Sequence, residues 1–81
     1  MEVRIRLGSA IAQLAPAPVL SVELPDGATI ADLYDCLAAN NPELGTALRS
    51  ALPVIGGAHV QRGATLAHGD EVALLTPVSG G

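Results

Sequence analysis

The chain has 81 residues, 49% of them apolar and 15% charged, with a formal net charge of −4. That length sets one domain with a modest core, and that composition excludes a disordered chain. An acidic surface with a single aromatic residue, Tyr34, lacks the basic footprint and stacking rings of a nucleic-acid binder and offers nothing to an anionic membrane.

Taken in chain order, Val3, Ile5 and Leu7 alternate with Glu2, Arg4 and Arg6, which reads as a strand with one apolar face. Residues 8–18 are small and proline-containing and read as a loop. Leu20, Val22 and Leu24 alternate with Ser21 and Glu23 as a second strand, which Pro25-Asp26-Gly27 ends with turn chemistry.

Thr29 is a good helix N-cap, and Asp32 three residues later makes a weak capping box. Ile30, Leu33, Tyr34 and Leu37 then form an apolar stripe at helical spacing, closed by Asn40-Asn41-Pro42. Pro42 also suits the first position of a short second helix capped by Asn41, with Leu44, Ala47 and Leu48 on its buried face. Val54-Ile55 and Ala58-His59-Val60 flank Gly56-Gly57, a tight hairpin turn. Turns at Arg62-Gly63 and His68-Gly69-Asp70 surround Leu66, and Val72-Ala73-Leu74-Leu75 is an apolar run that predicts a central strand covered on both faces. The order predicts an α+β domain. Right-handed crossover places the last strand beside the first, parallel to it and in mid-sheet. This is a β-grasp (ubiquitin-like) fold: a mixed sheet of about five strands on one main helix and a short second one. One domain, 1–81, with a flexible tail at 77–81, accounts for the whole sequence.

Side-chain chemistry is sparse. Cys36, His59 and His68 are far apart, so no metal-ligand spacing exists, and no phosphate-binding glycine loop is present. Cys36 has no basic neighbour to activate it and reads as a half-buried helix residue. Asp32 and Asp35 read as a solvated helix face, and Asp70-Glu71 as turn and strand-start residues. One cysteine allows no disulfide framework, and the N-terminus lacks a signal-peptide pattern, so a reducing cytoplasm is the expected setting. The four basic residues are all Arg, so no side chain can accept an isopeptide bond.

What remains is Val78-Ser79-Gly80-Gly81. Two glycines, lacking Cβ atoms, can thread a narrow channel, and Pro77 removes a backbone donor and stops the sheet. A thin end bearing a carboxylate suits delivery into a partner's active site. A carboxylate becomes electrophilic only when its oxygen is made a leaving group, as by adenylation, and this chain has no ATP site.

The run His68-Gly69-Asp70-Glu71-Val72-Ala73-Leu74-Leu75-Thr76-Pro77-Val78-Ser79-Gly80-Gly81, with Leu24-Pro25-Asp26-Gly27-Ala28-Thr29-Ile30-Ala31-Asp32-Leu33, resembles the small, sulfur-carrying subunits of molybdopterin synthase and, more broadly, the ubiquitin-like sulfur carriers. Thr76 stands where that family has the first of two prolines, Gly56 where many members have Asn, and Arg6, Leu7, Leu74 and Leu75 where aromatic residues are usual. The resemblance implies that an E1-like adenylating enzyme activates Gly81 with ATP and that a sulfur donor converts it to a thiocarboxylate. It implies further that Val78, Ser79, Gly80 and Gly81 enter a large catalytic subunit, two of each chain forming a heterotetramer. Sulfur then passes to cyclic pyranopterin monophosphate, and the chain itself binds no cofactor. Leu7, His59, Leu75 and Val78 are the expected partner-binding patch on the outer sheet face; alternation supports His59 and Leu75, whereas Leu7 needs a bulge to face outward. The alternatives are a carrier serving another pathway (thiazole, cysteine or a thio-metabolite), or a non-catalytic β-grasp interaction module or protein modifier.

Overall fold

The structure is a computed structural model that describes residues 1–15 and 17–76. Within them the strands are β1 (Glu2–Leu7), β2 (Val19–Glu23), β3 (Leu52–Ile55), β4 (Ala58–His59) and β5 (Glu71–Leu75), and the helices are α1 (Ser9–Ala12), α2 (Ile30–Asn40) and α3 (Gly45–Ser50). The strands form one sheet in the order β2-β1-β5-β3-β4. β1 and β5 pair in parallel and every other pair is antiparallel, so the last strand lies between the first and third as the crossover rule requires. This is the β-grasp arrangement.

α2 packs on one face of the sheet because its stripe, Ile30, Leu33, Tyr34 and Leu37, meets the inward residues Val3, Ile5, Val72 and Leu74, all of them buried. Each such aliphatic side chain contributes about 1.5–3 kcal/mol when taken from water. The helix start is a full capping box. Thr29 Oγ1 accepts from the Asp32 N–H at 3.3 Å, and Asp32 Oδ2 accepts from the Thr29 N–H at 2.9 Å. The next donors find partners across the fold: Ile30 N–H donates to the Ala64 carbonyl and Ala31 N–H to that of Arg62. These bonds stitch the long connection before β5 onto the top of α2.

Several local features depart from the sequence expectation. Residues 9–12, read as loop, make the single helical turn α1, which places Ile11 in the core at 1% exposure. The turn lacks capping and helical periodicity, so local sequence gave it no signal. Beyond α2, Pro42–Leu44 is a 3-10 turn that leads into α3. Asn41 does not cap it; its Nδ2 donates back to the Leu37 carbonyl at 3.4 Å. Leu44 and Leu48 are buried as expected.

β5 is central but covered on one face only. Val72 and Leu74 are buried, while Leu75 is 45% exposed. An uninterrupted apolar run is therefore not a strand buried on both sides here: the outward positions of the sheet are open to water. Gly56 and Gly57 both have positive φ, 59° and 81°, and form the tight turn between β3 and β4, a geometry that glycine adopts without steric cost.

Candidate functional site

The register fixes which side chains share the open face. Arg6 opposes Ala73, Ala73 opposes Val54, and Val54 opposes His59, giving one row across β1, β5, β3 and β4. The next row toward the end of β5 holds Leu75 opposite Leu52. Both leucines are well exposed, at 45% and 39%. Val54 is half-buried and His59 exposed. On the other flank of Leu75 stands Gly8, which donates its N–H to the Leu74 carbonyl at 2.8 Å. A Cβ on Gly8 would lie 3.1 Å from that oxygen and 3.6 Å from Leu75 Cδ2. The missing side chain thus permits both the hydrogen bond and a clear flank beside Leu75.

The patch therefore centres on Leu75, Leu52 and Val54, with His59 at its rim. His59 and Leu75 lie on the outer face, as alternation expected. Leu7 does not. It is 5% exposed and opposes Leu74 in a register that runs unbroken from Arg4, so no bulge turns it and it belongs to the core with Ile5. The sequence reading missed Leu52, because Pro53 interrupts its strand and hides the period. The usable signal was that Leu52 and Val54 sit two apart on one face. Val78 and the tail residues Ser79, Gly80 and Gly81 lie outside the described residues.

Away from the apolar patch the same face is charged. Arg6 Nη2 lies 3.0 Å from Glu71 Oε1, an exposed ion pair bridging β1 and β5. Glu71 is thus a strand-pairing residue, and Asp70 Oδ2 accepts from the Ala67 N–H at 2.8 Å, closing the turn before β5. His68, which the sequence marked only as a turn residue, accepts the Glu2 N–H on Nδ1 at 3.0 Å and ties that turn to the start of β1.

The remaining chemistry-bearing groups stay dispersed. Cys36 is half-buried on α2, with Asn40 Nδ2 at 3.4 Å from its sulfur. Among the described residues, no group of three or more His, Cys, Asp or Glu is placed to hold a metal ion, and no helix is long and apolar enough to cross a membrane. The arrangement offers a surface next to the end of β5 and no side-chain catalytic constellation among the described residues.

Comparison with known proteins bears on the fold and the family. The chain is 26% identical over 81 residues to the molybdopterin synthase sulfur carrier subunit of Arabidopsis thaliana, covering 100% of this chain and 84% of that protein. It superposes on SAMP1 of Haloferax volcanii, a small archaeal modifier protein, with a TM-score of 0.89 at 27% identity over the full length of both chains. It shares its fold, with a TM-score of 0.72 at 21% identity and full coverage of both chains, with a chain of the complex of subunits 1 and 2 of molybdopterin-converting factor from Helicobacter pylori. The sequence model of the ThiS family matches residues 9–81, most of the chain and all of β2 through the terminal glycines, and on that match this chain belongs to the ThiS family.

Proposed function

We propose that this chain is a sulfur carrier of molybdopterin biosynthesis whose reactive group is the Gly81 carboxylate. The observation that carries the reading is the reach of the family match, which extends to residue 81 and so includes Gly80-Gly81. The molybdopterin synthase carrier subunit of Arabidopsis thaliana, similar over the whole chain, supports the choice of pathway.

In this reading a Gly81 carboxylate oxygen attacks the α-phosphorus of ATP on an E1-like partner, expelling pyrophosphate. Sulfide delivered by a sulfur donor then attacks the acyl-adenylate carbonyl, AMP leaves, a proton is lost to water, and a thiocarboxylate remains. The loaded chain docks on a large catalytic subunit, in a heterotetramer of two of each, through the Leu75, Leu52 and His59 face. Val78, Ser79 and Gly80 carry Gly81 into the partner's site, where the sulfur passes to cyclic pyranopterin monophosphate. The catalytic side chains and the ATP site are the partners', and no cofactor is held by this chain. The solved complex of molybdopterin-converting factor subunits 1 and 2 supports pairing with a second, different subunit.

A protein-modifier role is the second reading, favoured by the similarity to a small archaeal modifier protein. Intact-mass analysis of the chain purified from its native host separates the two. Exchange of one oxygen for sulfur at Gly81 is expected under the carrier reading, and its loss on deletion of residues 80 and 81. A ladder of amide-linked conjugates on other proteins, with no sulfur-bearing species, would instead establish the modifier.

A further inference from the structure

Two of the chain's four Lys or Arg side chains stand together, at the His59 end of the sheet and across it from Arg6. Arg49 near the end of α3 and Arg62 beyond β4 line, with His59, Gln61 and Ser50, a cavity of about 550 Å³ beside the β3–β4 hairpin. No Asp or Glu lines it, although the chain carries eight Asp and Glu side chains and a net charge of −4. Asp35 borders a neighbouring shallow depression with the same two arginines, yet among the described residues neither Arg49 nor Arg62 forms an ion pair.

Arg62 is held in place before any ligand arrives. Its Nη2 donates to the Leu48 and Arg49 carbonyls at 3.3 and 3.2 Å, and its guanidinium carbon sits 4.5 Å above the Tyr34 ring centroid. A guanidinium carries five N–H donors in a planar fork, so donors remain for a carboxylate. Fixing the cation beforehand lowers the entropy lost on binding. The cavity also has apolar walls, Leu52 and Pro53, and Leu52 and His59 belong to the outer sheet patch as well. The basic notch and the apolar face are therefore one continuous surface.

We propose that this notch seats a carboxylate-bearing peptide segment of a partner protein, with Arg49 and Arg62 receiving its Asp or Glu side chains and the Leu52 wall an adjacent apolar one. The open shape and the mixed lining fit an extended peptide better than a small inorganic anion, which needs donors converging from several sides. The proposal goes beyond the sulfur-carrier reading and involves no tail chemistry. A negative result here leaves that reading standing, and absence of the thiocarboxylate leaves this one standing.

The test is a titration of the full-length 15N-labelled chain with an acetylated, amidated Gly-Glu-Leu-Asp-Glu-Gly peptide, followed by backbone and Arg Nε–H signals. Saturable shifts are expected in residues 49–52 and 59–62. They should weaken with added salt and vanish with the Gln/Asn version of the peptide. Arg49→Gln, which leaves Tyr34 and its stacked partner untouched, should raise the dissociation constant at least about threefold while the rest of the spectrum is unchanged. No saturable shifts, shifts centred elsewhere, or indifference to Arg49→Gln would overturn the assignment. So would inorganic phosphate reproducing the same shifts and displacing the peptide, because the notch would then be a general anion site.

Discussion

Tyr34 reaches from α2 to the far end of α3, where its hydroxyl donates to the Ala51 carbonyl at 3.0 Å while Arg62 covers its ring. The only aromatic side chain in the sequence thus joins the main helix, the short helix and the connection after β4. Tyr34→Phe keeps the ring and removes the hydrogen bond, orphaning a buried carbonyl. A loss of about 1–2 kcal/mol in urea unfolding is expected.

The same residue gives a pH signature. Burial pushes the Tyr34 phenol above its ordinary 10.0, with Arg62 pulling partly back. The unfolded chain therefore releases this proton first as pH rises. The Tyr34 contribution is intact below 10.0 and is lost as pH climbs through the higher folded-state value. Stability measured from neutral to strongly alkaline pH should fall in that window for the native chain, and Tyr34→Phe should flatten this part of the fall.

Leu75 and Leu7 stand near the same end of adjacent strands on opposite faces, and substitution should separate their roles. Leu75→Asp is expected to leave the thermal midpoint within a few degrees of native while weakening association with the large subunit proposed as partner, read by calorimetry. Leu7→Ala should cost about 2–5 kcal/mol of stability through the cavity it leaves in the core. Equal loss of folding in both variants would contradict the one-sided sheet.

The capping box at the start of α2 should be measurable singly. Thr29→Ala is expected to cost about 1 kcal/mol in chemical denaturation. Asp32→Ala, which removes the reciprocal half, should add less than its own single cost when combined with Thr29→Ala, because the two changes break one device.

At the β3–β4 turn, Gly57→Ala puts a Cβ on a residue with φ of 81°. A penalty of about 1 kcal/mol is expected from that backbone conformation alone, since nothing stands near the added atom. Hydrogen exchange at Ala58 and His59 should speed up before any other strand is affected.

How much of this was legible beforehand follows the strength of local pattern. β1, β2 and α2 carry clean periods, and Thr29, Pro25 and Gly57 punctuate them, so those elements and the parallel pairing of β5 could be read directly. α1 could not, because one helical turn has neither period nor cap and exists only because Ile11 finds the core. The one-sided burial of β5 escaped because Val72-Ala73-Leu74-Leu75 is apolar throughout, and only the register with Leu52 and Val54 shows which residues face water. That also explains the patch: His59 and Leu75 followed from alternation, Leu52 was masked by Pro53, and Leu7 was drawn outward by family likeness against its own period. The pairing of Arg49 with Arg62 brings together residues 13 positions apart through the α3–β3–β4 path, which no local motif records.

The parallel pairing of β1 with β5 has a mechanical consequence. Tension applied between the start of β1 and the end of β5 pulls neighbouring strands lengthwise past each other, so their shared ladder must yield all together instead of one bond at a time. β5 is also gripped by β3 on its other side. A pull on whatever follows Thr76, with the start of β1 held, therefore loads that whole ladder at once.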